Sequence, residues 1–341
     1  MKREKYIDVA KGLGILLVVY AHIISRCDLT AELGLVRRMI YSFHMPLFFF
    51  ISGYCLGLKK DTGERPAFLP ALKKISRNLL LPYIVWSAIY LFTSGKLQSP
   101  LRLNAVLTAR GIAPLWFLAA LALCELAFAA LRLASYKLGK KGKTALYLLL
   151  SAVMLGGAFT LWLVQDINSL NTKNIGVIPY FLFVTASRFT LTMPMLLLGY
   201  VVSQAELIKK AGRLLSGILG VLLISGTCVV VGFTRLYSNF HLFKSSDLLL
   251  LMCTSLMGSF GVLMLSYALG EHSKILSFLG ANSLGIMILH YMPFRTMDYS
   301  NLLVRTFTND PILISLLATL ASLLISLLLA WFIKNKFFIY K

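Results

Sequence analysis

The feature that most constrains this chain is a succession of apolar runs, each near twenty residues long, joined by short polar connections. A run of that length is what an α-helix needs to cross about 30 Å of hydrocarbon. Ten membrane spans are expected, near 7–27, 39–58, 77–95, 114–135, 144–165, 185–204, 213–234, 246–269, 275–295 and 311–333. Pro179 and Pro194 interrupt the sixth, and prolines are tolerated in such helices where neighbours satisfy the freed backbone groups. Composition agrees. Of 341 residues 58% are hydrophobic and 14% charged, against about 25% charged in soluble domains, and the mean hydropathy is +0.79. A water-soluble fold of this size has nowhere to hide so much apolar surface. No polar stretch is long enough for a separate soluble domain, so residues 1–341 are read as one all-α integral membrane domain, a bundle of about ten transmembrane helices.

The net charge of +21 would point to nucleic acid in a soluble protein. Here the basic residues are dispersed among hydrophobic spans, where they anchor loops and meet anionic lipid headgroups; no nucleic-acid partner is expected. The start, Met1-Lys2-Arg3-Glu4-Lys5, superficially resembles a signal peptide, but the run to Ile24 is too long and lacks a small-x-small cleavage site. It is read as a retained first helix with a cytoplasmic N-terminus. The inner segments then collect Lys59, Lys60, Arg65, Lys73, Lys74, Arg77, Lys137, Lys140, Lys141, Lys143, Lys209, Lys210, Arg213, Lys334, Lys336 and Lys341, as the positive-inside rule expects. Ten spans also return the C-terminus to the cytoplasm. The longer outer loops, near 95–113, 166–184 and 296–310, are placed to cover an external opening. Five cysteines (Cys27, Cys55, Cys124, Cys228, Cys253) show neither zinc-site nor disulfide spacing and read as small core residues. No metal is expected, and no internal repeat is visible.

Ionisable groups inside a membrane are costly and mark function by default. The first helix holds Asp8, Lys11 and His22. At about 100° per residue, Lys11 and His22 fall about 20° apart, with Asp8 within about 60° of both and Lys11 about 16 Å from His22 along the axis. One stripe therefore carries an acid, a cation and an imidazole. That separation is comparable to an extended pantetheine arm, with Lys11 at a phosphate on the cytoplasmic edge and His22 deeper, as general base on a hydroxyl attacking an acyl thioester. A lysine snorkelling to the headgroups and a histidine satisfied at a helix contact explain the same pair. The second span opens on Ser42-Phe43-His44-Met45-Pro46, with His44 at a depth similar to His22. Further on, Ser52-Gly53 permits close helix approach, and Ser52 has no activating base in view that would make it a nucleophile.

Five fragments, in order, resemble acyltransferase family 3, the membrane O-acyltransferases. They are Tyr6-Ile7-Asp8-Val9-Ala10-Lys11-Gly12 with ten residues between Lys11 and His22; Phe43-His44-Met45-Pro46-Leu47-Phe48-Phe49-Phe50-Ile51-Ser52-Gly53; Lys73-Lys74-Ile75-Ser76-Arg77 reaching Pro82-Tyr83; Pro114-Leu115-Trp116-Phe117-Leu118 with Glu125 beyond; and Gly280-Ala281-Asn282-Ser283-Leu284-Gly285 ending at His290. The fragment around His44 most resembles the branch named for fucose 4-O-acetylase. The family usually has arginine where Lys11 stands, and lysine keeps the charge but loses the bidentate fork.

The resemblance implies a multi-pass enzyme of the cell membrane, by expectation a bacterial cytoplasmic membrane. It implies a cytoplasmic acyl-CoA donor, acetyl-CoA by default, and a hydroxyl acceptor on a sugar or surface glycan that can be lipid-linked. Carried over by position, His22 is the catalytic base, with Asp8 on its stripe, and Lys11 partners the donor. Lys73, Lys74 and Arg77 are candidates for the CoA phosphates, although they serve equally as positive-inside anchors. Trp116, Glu125, His44 and His290 are placed at the cavity and the acceptor. Glu125, in mid-span, requires a cation or protonation. Arg188, in the sixth span, is a candidate for holding a sugar or an oxyanion, or else a snorkelling anchor. A transporter or flippase for a lipid-linked sugar is the competing class; such proteins often carry inverted repeats.

Overall fold

The computed structural model describes residues 4–59, 64–270, 273–291 and 294–337, the side chains of 113 and 334–337 excepted. Of the residues named above, Met1, Lys2, Arg3, Lys60 and Lys341 lie outside the described residues, as do the side chains of Lys334 and Lys336 and positions 292–293 of the ninth run. The helices in chain order are α1 (Lys5–Arg26), α2 (Thr30–Tyr41), α3 (His44–Gly57), α4 (Phe68–Ile75), α5 (Leu81–Thr93), α6 (Pro100–Leu107), α7 (Trp116–Ala134) and α8 (Lys140–Ile167). They continue with α9 (Thr172–Ile175), α10 (Val177–Gln204), α11 (Leu207–Thr234), α12 (Leu248–Leu269), α13 (Lys274–Ala281), α14 (Ser283–Leu289), α15 (Thr296–Arg305) and α16 (Pro311–Phe337). A two-stranded hairpin, β1 (Ser238–Asn239) and β2 (Lys244–Ser245), precedes α12. Among the described residues, nine helical stretches are long and apolar enough to cross a membrane. The protein is an all-α, multi-pass membrane protein.

Helix α16 shows why lipid is the solvent. Ser315, Thr319, Ser322 and Ser326 recur at helical spacing and are buried, while Ile312, Leu313, Leu316, Leu320, Leu324 and Leu328 are exposed. A soluble helix has the opposite polarity. The hydroxyls of Thr319 and Ser326 donate back to the carbonyls of Ser315 and Ser322, which satisfies those two hydroxyls within the helix on its buried stripe.

Prolines and asparagine set the interruptions. The second span is two helices, α2 and α3, bent at Ser42-Phe43. Pro46 has no N–H for the Ser42 carbonyl, and Ser255 Oγ donates to that carbonyl instead, at 2.8 Å. The third span begins earlier than hydropathy indicates, at Phe68, and passes through a π-helical turn, Ser76–Leu80, just ahead of Pro82. Such turns accommodate a missing backbone donor. The sixth span is longer than expected, Val177–Gln204: Pro179 falls in its first turn, where a proline costs little, and Pro194 is carried inside it. The ninth expected span differs most. It is broken at Asn282, whose φ of −105° and ψ of 8° end α13 and whose Nδ2 donates to the Phe278 carbonyl. A short amide that bonds its own backbone competes with helix continuation.

By contact the described chain falls into two compact units: residues 1–48, 211–238 and 250–341, and residues 49–210 and 239–249. In the first, α1 packs on α13. Gly12 and Gly280 let the backbones meet, since a Cβ on Gly12 would strike the Leu276 carbonyl and one on Gly280 the Asp8 carbonyl. Small residues at a membrane crossing serve this close approach. In the second unit Gly53 and Gly199 do the same, against the carbonyls of Leu196 and Phe50.

Candidate active site

The first unit gathers three histidines from three distant parts of the chain. His22 lies near the end of α1, His44 opens α3 and His290 closes α14. His44 and His290 are buried, and His22 is at intermediate exposure. His22 Nδ1 is 3.0 Å from His290 Nε2. The ring centroids are 5.3 Å apart and the planes differ by 7°. With centroids that far apart, the nitrogens reach 3.0 Å only if both lie on the line joining the centroids. The rings are therefore edge to edge in one plane, as a linear N–H···N bond requires.

The rest of the chain assigns the protons. His290 Nδ1 lies 2.9 Å from the Ile286 carbonyl. A carbonyl only accepts, so His290 Nδ1 carries the hydrogen. In a neutral imidazole the other nitrogen is then an acceptor, so His22 Nδ1 must donate to His290 Nε2. That leaves the lone pair of neutral His22 on Nε2. The same logic protonates His44 Nδ1, 2.8 Å from the Ile40 carbonyl. Around His22 stand the rings of Tyr41 at 6.1 Å, Tyr291 at 5.8 Å and His44 at 6.5 Å between centroids. The Arg37 guanidinium lies over Tyr41, and its Nε donates to Ser25 Oγ at 2.6 Å.

The end of α1 nearest His22 is tied down by α15. Arg26 grips Asp298 with Nε and Nη2, the latter at 2.9 Å, and Arg295 Nε adds a contact at 2.8 Å. The Arg26 hydrogen bond, chiefly, holds the Asp298 carboxyl below its ordinary value against the opposing effect of partial burial. Arg305 Nη2 donates to the Cys27 carbonyl. The expected outer loop 296–310 is thus a helix strapped to α1.

Asp8 and Lys11 sit at the other end of α1. Asp8 is buried in the first turn, where a carboxylate suits the helix dipole. From position 8 to position 22 of this unbroken helix is about 21 Å, so Asp8 is not brought to His22. Lys11, at intermediate exposure, keeps the expected separation of about 16 Å.

In the second unit, Lys73 and Lys74 are exposed in the last turn of α4 and Arg77 is exposed in the π turn. Glu125 of α7 accepts a hydrogen bond from Ser52, whose Oγ donates to its Oε1 at 2.7 Å, and it attracts the Lys59 ammonium electrostatically. Arg188 is 1% exposed, so it does not snorkel. Its Nη2 donates to the carbonyls of Ala109 and Arg110 at 3.2 and 3.0 Å, and its Cζ lies 5.1 Å over the Trp116 ring. Trp116 also stacks on His241, with centroids 6.0 Å apart. Burial first, then Arg188 and Arg110, push the His241 imidazole down to about 3. His241, Arg110, Tyr41 and Tyr291 escape sequence reading. The two tyrosines do adjoin motif residues, Tyr41 three before His44 and Tyr291 directly after His290, whereas loop residues Arg110 and His241 carry no periodic signal.

Residues 4–331 match the family described as "Acyltransferase domain". Two curated relatives, both named Nodulation protein NolL, are similar over 91 residues, that of Sinorhizobium fredii at 37% identity and that of Mesorhizobium japonicum at 33%. The aligned stretch is 26% of this chain and 24% of each relative. The chain thus spans about a quarter of the length of the curated relatives it matches.

Proposed function

The chain belongs to the acyltransferase family that matches its residues 4–331, and from that premise we propose that it is a membrane O-acyltransferase with His22 as general base. The donor is a cytoplasmic acyl-CoA, acetyl-CoA by default. The acceptor is a hydroxyl of a sugar or surface glycan, free or lipid-linked. The observation that carries this reading is the His22–His290 bond, because it leaves the lone pair of the His22 imidazole on Nε2.

The chemistry follows from that nitrogen. His22 Nε2 takes the hydroxyl proton as the acceptor oxygen bonds to the thioester carbonyl carbon. The tetrahedral oxyanion collapses, the C–S bond breaks, and the imidazolium returns the proton to the sulfur. The products are an O-acyl ester and the CoA thiol. During the step the imidazolium on His22 is oriented and stabilised by its Nδ1–H bond to His290 Nε2, as an orienting partner does in a catalytic triad. Lys11, three turns away on the same helix, takes a donor phosphate, and Lys73, Lys74 and Arg77 remain phosphate candidates through the family pattern. Asp8 acts from the first turn of α1, away from the reacting atoms. His44 and Tyr41 hold the ring of His22 and flank the acceptor.

A broken helix such as α13–α14 is also how transporters build substrate sites, so movement of a lipid-linked sugar is the second reading. Purified protein given acetyl-labelled acetyl-CoA and a glycan acceptor separates the two. Label appearing on the acceptor as ester supports acyl transfer; acceptor movement in proteoliposomes without thioester loss supports the transporter.

A further inference from the structure

Arg188 presents a problem that its hydrogen bonds do not solve. Its side chain is 1% exposed, and Nη2 alone is engaged, by the carbonyls of Ala109 and Arg110 and by Thr185 Oγ1. Its Nε and Nη1 are buried without a partner, and so is Arg110 Nε. No carboxylate pairs with either arginine among the described residues. A buried guanidinium with open donors and no counter-charge is strongly unfavourable. Each cation lies over a buried aromatic ring: Trp116 under Arg188 at 5.1 Å and Phe181 under Arg110 at 4.4 Å.

We propose that Arg188 and Arg110 form an anion-binding site that receives an oxyanion of the acceptor, a carboxylate or a phosphoryl group. The assignment of that oxyanion to the acceptor rests on the proposed acyl transfer. Guanidinium groups with free N–H donors match such oxygens in geometry and charge. Arg188 sits about two-fifths of the way along α10, and Arg110 lies in the segment expected on the outer side, opposite the cytoplasmic donor. A carboxylate would come from an acidic sugar and a phosphoryl group from a lipid-linked one.

The test is binding without turnover. Trp116 touches Arg188, so its emission reports occupancy, with Trp116→Phe as the control. Purified protein is titrated with glucuronate, with inorganic pyrophosphate, and with glucose and chloride at matched concentration. The expected result is a saturable emission change with one or both oxyanions and none with glucose or chloride. Arg188→Gln should abolish it, and Arg110→Gln should weaken binding by about tenfold or more. If Arg188→Gln fails to fold, Arg110→Gln decides. Equal responses to glucose, or full binding in Arg110→Gln, would overturn the site. A protein that binds the oxyanion but never turns over a thioester keeps this site and loses the acyl-transfer reading; turnover with no oxyanion response does the reverse.

Discussion

His22 is defined by what its second nitrogen is doing. A histidine with both nitrogens free would divide its lone pair between two positions, and only one of them suits the acceptor. The Ile286 carbonyl fixes His290, and His290 fixes His22. Removing the link by His290→Ala should lower kcat by about tenfold or more, the order of one lost hydrogen bond with its orientation. His290→Gln, whose side-chain oxygen accepts from His22 Nδ1, should restore part of the rate, and a KM that stays constant would mark positioning rather than binding. Equal loss in both variants would point to packing alone. The other histidine of note, His241, gives a pH signature. Its folded value of about 3 lies below the ordinary 6.5, so the unfolded chain binds a proton that the folded chain refuses. Stability should be full above the ordinary value and fall as pH drops from about 6.5 towards 3. Thermal unfolding of His241→Gln should be flatter over that window; identical slopes would remove His241 as the cause.

At the scale of elements, the break at Asn282 places His290. Helix α14 starts one residue after Asn282 and delivers His290 at its end, against α1. Asn282→Leu favours one continuous helix, which would turn His290 away from His22. Acyl transfer should fall about tenfold or more while the midpoint of thermal unfolding holds or rises. Activity retained at wild-type level would show that the break is incidental. Much of this level is legible in the sequence. Hydropathy locates the spans because lipid demands apolar length, and helical arithmetic sets Lys11 and His22 on one stripe. It misses α2 and α15, whose polar faces dilute the signal, and it cannot see that Pro46 frees a carbonyl for Ser255. The His22 partner is hidden for a different reason: His290 is 268 positions away, and the packing of α13 and α14 on α1, with its Gly12–Gly280 crossing, brings the two segments together. Glu125 shows the same limit, since its hydroxyl partner Ser52 lies on another helix.

At the scale of the whole molecule, sidedness and chemistry belong together. In the proposed orientation, basic flanks put both ends of the chain in the cytoplasm, so that Lys11 would face the donor compartment and His22 would lie towards the far leaflet. An acyl group then enters from the inside and leaves on a hydroxyl. The most direct measurement uses inside-out membrane vesicles carrying wild-type protein or His22→Ala at equal abundance, supplied externally with acetyl-labelled acetyl-CoA. Label should pass to vesicle-bound glycan or lipid-linked sugar in the wild type. With His22→Ala it should fall by about 10²–10⁴-fold, the usual worth of a general base. Transfer by His22→Ala at the wild-type rate would contradict the account.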